Sequence, residues 1–334
     1  MAQQTPQSFR RIPLNLAAGV VCLLVAVGGV GTWLYVDSVG GGSDCRDLLD
    51  DNRVRKALGA EYRQGLTCAQ LGTAIKRVTT GFTAGEHSLK QAQSMQNMLA
   101  VMSDRTSEKS GEIDADLALP FSQALADYAA DVDQILTSVN IDYIRRDTSS
   151  TSPWQDEDGV HMSVSVESMR QVIRAISGNP VAYATVRDSI TREIADQFAE
   201  TPHAAGKGGL SLLSKLSARV LGTLDAVAEK AREGGGDAKS WDRDVLAHLT
   251  KNAAIVPAYS KDPAGHLVAS WKQKLRTDSS SRGALELFEA QGTEMVRTWS
   301  AGLGLGQELS DSLMNDSRNS AHYGHSSALR QLDE

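Results

Sequence analysis

Two patterns of apolar residues divide this chain. From Leu14 to Val36 it reads LNLAAGVVCLLVAVGGVGTWLYV, 23 positions without a charge. From Asp44 onward, apolar residues instead recur every three or four positions between polar ones. The first pattern predicts a single transmembrane helix. At 1.5 Å per residue it reaches roughly 35 Å, enough to cross a hydrocarbon core of about 30 Å with some tilt. The second predicts a succession of amphipathic helices.

Capping residues place those helices. Asp44 is the expected N-cap of a helix through Leu58, with Gly59 at its stop. Thr67 opens the next, with Gln70 at the capping-box position and a stop at Gly81. A third, from about Gly85 to Met102, carries Ala92, Met95, Leu99 and Met102. A fourth, from Pro120 to Val139, carries Phe121, Leu125, Tyr128, Val132, Ile135 and Val139 at 4-3-4-3-4 spacing. That spacing is a narrow seam of the kind that mates with another helix, within the molecule or on a partner chain.

In the second half, Glu167 to Ile176, Asn179-Pro180 through Phe198, Leu210 to Arg232, Trp241 to Val256, Ala264 to Leu275 and Gly283 to Leu303 read as helices. Trp241, Trp271, Phe288 and Trp299 are their large apolar anchors. Between the halves, residues 145–159 break every periodicity and are rich in Ser, Thr and Asp. Residues 160–166 alternate briefly, but a lone strand has no evident partner, so irregular chain is expected there.

The predicted fold class is therefore all-α: an N-terminal single transmembrane helix followed by an extracytoplasmic multi-helix domain of two helical subdomains. The expected organisation is a cytoplasmic N-terminus (1–13), the span (14–36), a glycine-rich spacer (37–43), a first subdomain (44–144), a linker (145–165), a second subdomain (166–305) and a mobile tail (306–334).

Charge sets the orientation. Arg10 and Arg11 precede the span and no acidic residue occurs before Asp37, so the N-terminus is expected in the cytoplasm and the bulk outside the cell membrane. Trp33 and Tyr35 suit the far headgroup layer. The competing reading is a cleaved signal peptide, with small residues at Gly29-Val30-Gly31. The apolar run is longer than the usual 7–15-residue core of such peptides, so an uncleaved anchor is preferred.

Cys22 lies within the span, which leaves Cys45 and Cys68 as the two outer cysteines. In an oxidising compartment they are expected to form a disulfide, contributing about 3 kcal/mol in the chain-entropy model. Both fall in first helical turns, so an ordinary antiparallel hairpin would hold them apart. The bridge requires a steeper return of the second helix.

The formal charge is −7. Since the only basic residues before the outer region are Arg10 and Arg11, that region is more acidic still, which disfavours nucleic acid. A bias toward Arg over Lys, with abundant Ala and Gly, suits a GC-rich bacterial genome.

The candidate chemistry is sparse. Ala205-Gly-Lys-Gly-Gly209 lacks the spacing and preceding strand of a phosphate-binding loop. Glu112-x-Asp114-x-Asp116 is followed by Leu117 where a calcium loop needs Gly, and Asp156-Glu157-Asp158-Gly159 puts Trp154 in the first ligand slot. His322-x-x-His325 lacks a third ligand at recognisable spacing. No cofactor, metal site or catalytic residue is predicted, although a carboxylate pair for hydrolysis depends on separation in space and leaves no sequence signature. The sequence thus predicts a non-enzymatic, membrane-anchored component of the bacterial cell envelope that binds another envelope protein or itself. An anchored cell-wall hydrolase and an exported membrane-active effector are the alternatives.

Overall fold

The computed structural model describes residues 44–108, 113–148, 150–234, 237–251, 255–277 and 286–333. The predicted span, its flanking Arg10, Arg11, Trp33 and Tyr35, and the spacer lie outside these residues. No helix among the described residues is long and apolar enough to cross a membrane.

The described chain is mostly helical, as the periodicity predicts. It begins with α1 (Asp44–Asp50) and α2 (Asn52–Leu58), where the sequence suggested one helix. The break occurs because the Asp51 carboxylate accepts a hydrogen bond from the Arg53 backbone N–H and starts a new helix. After a 3-10 turn, Thr67 and Gln70 form the expected reciprocal cap of α3 (Cys68–Thr79). Cys45 and Cys68 are joined by a disulfide with their Cα atoms 5.5 Å apart. With α1 separate from α2, the direction of α2 does not dictate where Cys45 points.

There follow α4 (Leu89–Glu108), α5 (Ala115–Ala126), α6 (Ala129–Thr137) and α7 (Ile141–Arg145). The helix expected over 120–139 is thus two helices. The chain turns at Tyr128, whose hydroxyl donates to the Thr79 carbonyl at 2.6 Å and whose ring stacks on His87 at 3.7 Å.

Two short strands then pair antiparallel, β1 (Trp154–Gln155) with β2 (Val160–His161). Irregular chain was expected here. The partner of the Val160 strand lies just upstream, in a run whose polar composition hides it, and Gly159 at φ 141° makes the turn.

The second half comprises α8 (Val166–Ile176), α9 (Pro180–Glu200), α10 (Gly206–Gly234), α11 (Ala238–Thr250), α12 (Pro263–Thr277), α13 (Gln291–Gly302) and α14 (Gln307–Leu332). Asn179 caps α9 and Pro180 opens it, as predicted. All four aromatic anchors are buried. The indole N–H groups of Trp241 and Trp299 donate to the carbonyls of Ser177 and Phe198.

Two expectations about organisation are corrected. Residues 145–165 do not separate two subdomains, because α4, α5 and α6 pack directly on α8 and α9, and one apolar core runs through both halves. The tail is not mobile chain but the long helix α14, which packs along α10 more extensively than any other described pair of helices. Its apolar residues are few, yet small residues let it approach closely. A Cβ on Gly222 would meet the Ala321 carbonyl oxygen at 2.0 Å, and one on Gly324 would meet that of Arg219 at 2.2 Å.

Candidate functional site

The polar faces of α10, α13 and α14 enclose a cleft of about 630 Å³. α10 contributes Asp225, Glu229 and Arg232. The segment leading into α13 and α13 itself contribute Glu286, Glu289, Glu294 and Arg297, and α14 contributes Arg318, His322 and His325. The helical period puts His322 and His325, three residues apart, on one face of α14. His325 Nε2 lies 2.8 Å from a Glu229 carboxylate oxygen.

The arginines of the cleft are already engaged. Arg232 pairs with Asp242 at 2.8 Å, Arg297 with Glu294, and Arg318 with the Asn315 side chain at 3.0 Å. Glu294 also takes Lys274. The side chains of Glu289 and His322, both exposed, line the cleft without a hydrogen bond or ion pair to a described residue. Carboxylates outnumber arginines in the lining, and most of the positive charge is already neutralised there. Its carboxylates are engaged in turn, Asp225 by Arg187, Glu229 by His325 and Glu294 by Lys274 and Arg297, which leaves Glu289 as the acid a cationic group could meet.

Beneath one end of it, Arg187 lies with no exposed surface. Its guanidinium donates to Asp225 at 2.5 Å, to the Tyr183 hydroxyl at 2.8 Å, to Gln291 at 3.0 Å and to the Phe288 carbonyl at 2.9 Å. Burial pushes the Asp225 carboxyl up against the pull of Arg187. Because Asp225 belongs to this node as well as to the cleft lining, the cleft wall is held rigidly.

A second polar cluster lies at the ribbon. Asp131 accepts from the Tyr143 hydroxyl at 2.6 Å and from the Met162 backbone N–H at 3.1 Å, and its Oδ1 lies 3.0 Å from His161 Nδ1. His161 Nε2 lies 3.0 Å from Asp156. The hydrogen bond to Asp131, reinforced by Asp156, pushes the His161 imidazole up to about 9. Both ring nitrogens therefore carry protons at neutral pH, and neither is free to act as a base. Tyr143, likewise shifted upward by burial and Asp131, remains a phenol. The cluster is a clasp that fastens β2 and α7 to α6. Next to it the fully buried Asp133 accepts from Gln197 at 3.0 Å and, at 3.5 Å, from Gln134, and burial pushes it up to about 7.

The predicted site residues fall as follows. Cys45 and Cys68 are bonded. Of the predicted interaction seam, Phe121, Leu125, Tyr128, Val132 and Ile135 are buried in the chain's own core, and Val139 alone is exposed. The seam is therefore spent internally and does not face a partner, since α5 and α6 use it to pack on α3, α8, α9 and α10. Asp114 caps α5, and Asp156 serves the ribbon turn and His161. Gly206-Lys-Gly-Gly209 is the first turn of α10, with no strand before it. Sequence reasoning missed Glu229, Glu289 and the Asp131–His161 contact. The one available signal was the His322/His325 spacing, which defines a helix face but not what stands opposite.

No protein-family model, curated protein or solved structure matches the chain.

Proposed function

We propose that the helical unit beginning at Asp44 is the extracytoplasmic binding module of a single-pass bacterial envelope protein. It takes a basic segment of a partner protein into the cleft of α10, α13 and α14. The Cys45–Cys68 disulfide carries the compartment part of this reading, because such bonds persist in oxidising environments and are rare in the cytosol. Glu289 and His322, facing the cleft without described partners, support the binding part.

Two experiments test it. A membrane-impermeant maleimide on intact cells is expected to label Cys45 and Cys68 only after reduction. Labelling only after lysis, equally with and without reductant, would invert the topology. A photo-crosslinking amino acid at Ala321, in the cleft lining, is expected to trap a partner whose recovery falls at least tenfold in Glu289→Lys. Recovery unchanged by that substitution would remove the cleft from the proposal.

The hydrolase alternative draws on one observation, the Glu229–His325 pair beside Glu289 in a cleft. Absence of cell-wall release by the purified full-length protein would dismiss it. The membrane-active alternative gains nothing from α10, whose Leu210, Val220, Leu224 and Val227 are already buried in the core.

A further inference from the structure

Arg170 on α8 is only 6% exposed, yet among the described residues no carboxylate, carbonyl or hydroxyl hydrogen-bonds to its guanidinium. Its Nε is buried without a partner. The outer edge of the guanidinium still reaches solvent, but a buried N–H left without a partner and a charge with no acid beside it are both features that folds normally satisfy. Its charged neighbour is of the same sign. Burial first, and then Arg219, disfavour the charge on Arg170, while Tyr323 acts in the opposite direction.

Arg219 comes from α10, which packs on α8. Its Nη1 donates to the Thr137 carbonyl, in the last turn of α6, at 3.2 Å, and its Cζ lies 4.8 Å from the centre of the Tyr323 ring. Tyr323, on α14, is 55% exposed. Lys215, one turn earlier on α10, is taken by Asp316 at 3.5 Å. Three helices thus bring together a buried guanidinium, a second partly exposed one and a phenol at the surface. Two arginines whose charges oppose each other, with no described carboxylate bonded to either, leave N–H donors that an anion could take. Two planar forks from different helices suit a tetrahedral oxyanion, which offers acceptor oxygens in several directions.

We propose that Arg170, Arg219 and Tyr323 form a phosphate-group site at the junction of α8, α10 and α14. The site is independent of the acidic cleft, and its ligand is a phosphate monoester, either soluble or the headgroup of a lipid.

The test uses the full-length protein in phosphatidylcholine nanodiscs, with thermal unfolding followed at constant ionic strength in chloride, inorganic phosphate or glycerol 1-phosphate, and separately in nanodiscs containing phosphatidate. Phosphate groups are expected to raise the wild-type midpoint by about 2–4 °C at saturation. A rise with the soluble phosphates assigns a free ester, and one confined to phosphatidate assigns a lipid. Arg170→Leu, which removes the lone buried charge, is expected to unfold in chloride at or above the wild-type midpoint and to lose the phosphate shift. A merely structural Arg170 would instead lower that midpoint. Should Arg170→Leu fail to fold, Arg219→Lys decides, because it keeps the charge but loses the fork and is expected to at least halve the shift. No shift in the wild type with any phosphate, or an equal shift in the variant, overturns the proposal.

Discussion

His161 and Arg187 are both cations held by carboxylates, but they sit in different places and do different things. Arg187 is fully enclosed by α9, α10, Phe288 and Gln291, and its guanidinium face lies 3.6 Å from the Phe288 ring centre. His161 sits at the edge of a two-residue strand, with 15% of its side chain exposed and one of its two carboxylates, Asp156, nearly half exposed. A guanidinium stays charged at any ordinary pH, so the Arg187 node is a fixed electrostatic pin. An imidazole titrates, so the clasp is conditional. The fold thus fastens its second half permanently and its ribbon reversibly.

The largest test of this contrast is Arg187→Leu. Removing the cation leaves Asp225 buried without its partner and is expected to cost about 3–5 kcal/mol in urea unfolding. Arg187→Leu combined with Asp225→Leu should recover most of that loss, because a buried ion pair replaced by apolar groups is often neutral. If the double variant is as unstable as the single one, the node owes its stability to its neutral hydrogen bonds instead.

A smaller loss, about 1–3 kcal/mol, is expected for Asp131→Asn, which weakens the contacts to Tyr143, His161 and Met162. Its sharper signature is in pH. The folded His161 sits near 9 against 6.5 when unfolded, so its contribution is complete below about 6.5 and is lost as pH rises through 9. Asp133 adjoins that window. Raised from 3.8 to about 7, it favours the folded state at low pH and withdraws that favour as pH climbs from 3.8 to 7. Wild-type stability is expected to fall along both limbs. Asp131→Asn should flatten the limb between 6.5 and 9 and spare the lower one, whereas Arg187→Leu should keep the His161 limb and steepen the fall at lower pH, because Asp225 loses the guanidinium that opposes its upward shift. Equal profiles for wild type and Asp131→Asn would remove the conditional clasp.

The smallest effect is expected for Tyr143→Phe, about 1 kcal/mol. Asp131 keeps His161 and the Met162 N–H, so the pH profile should keep its alkaline limb.

Both networks were invisible in the sequence for the same reason that its local features were legible. Thr67 with Gln70, and Asn179 with Pro180, are decided within one helical turn, and both form as read. Where the 120–139 periodicity failed, tertiary packing had overridden it. Tyr128 reached across to Thr79 and broke the seam; the Asp51 break, by contrast, was local, a cap on Arg53 that competed with the periodicity running through it. The tail was misread because few apolar residues normally mean weak packing. Here the close approach at Gly222 and Gly324 lets backbone and small side chains supply the contact.

By itself, then, the sequence determined the helical class, most caps, the four aromatic anchors and the Cys45–Cys68 pair, because each follows from periodicity, from one turn of backbone or from residue count. Tertiary structure alone decided the polar chemistry. Asp131 meets His161 across 30 residues, Arg187 meets Asp225 across 38, and Glu229 meets His325 across 96. Such contacts arise only where separately specified helices cross, and no spacing rule within one segment encodes where a different segment will pass.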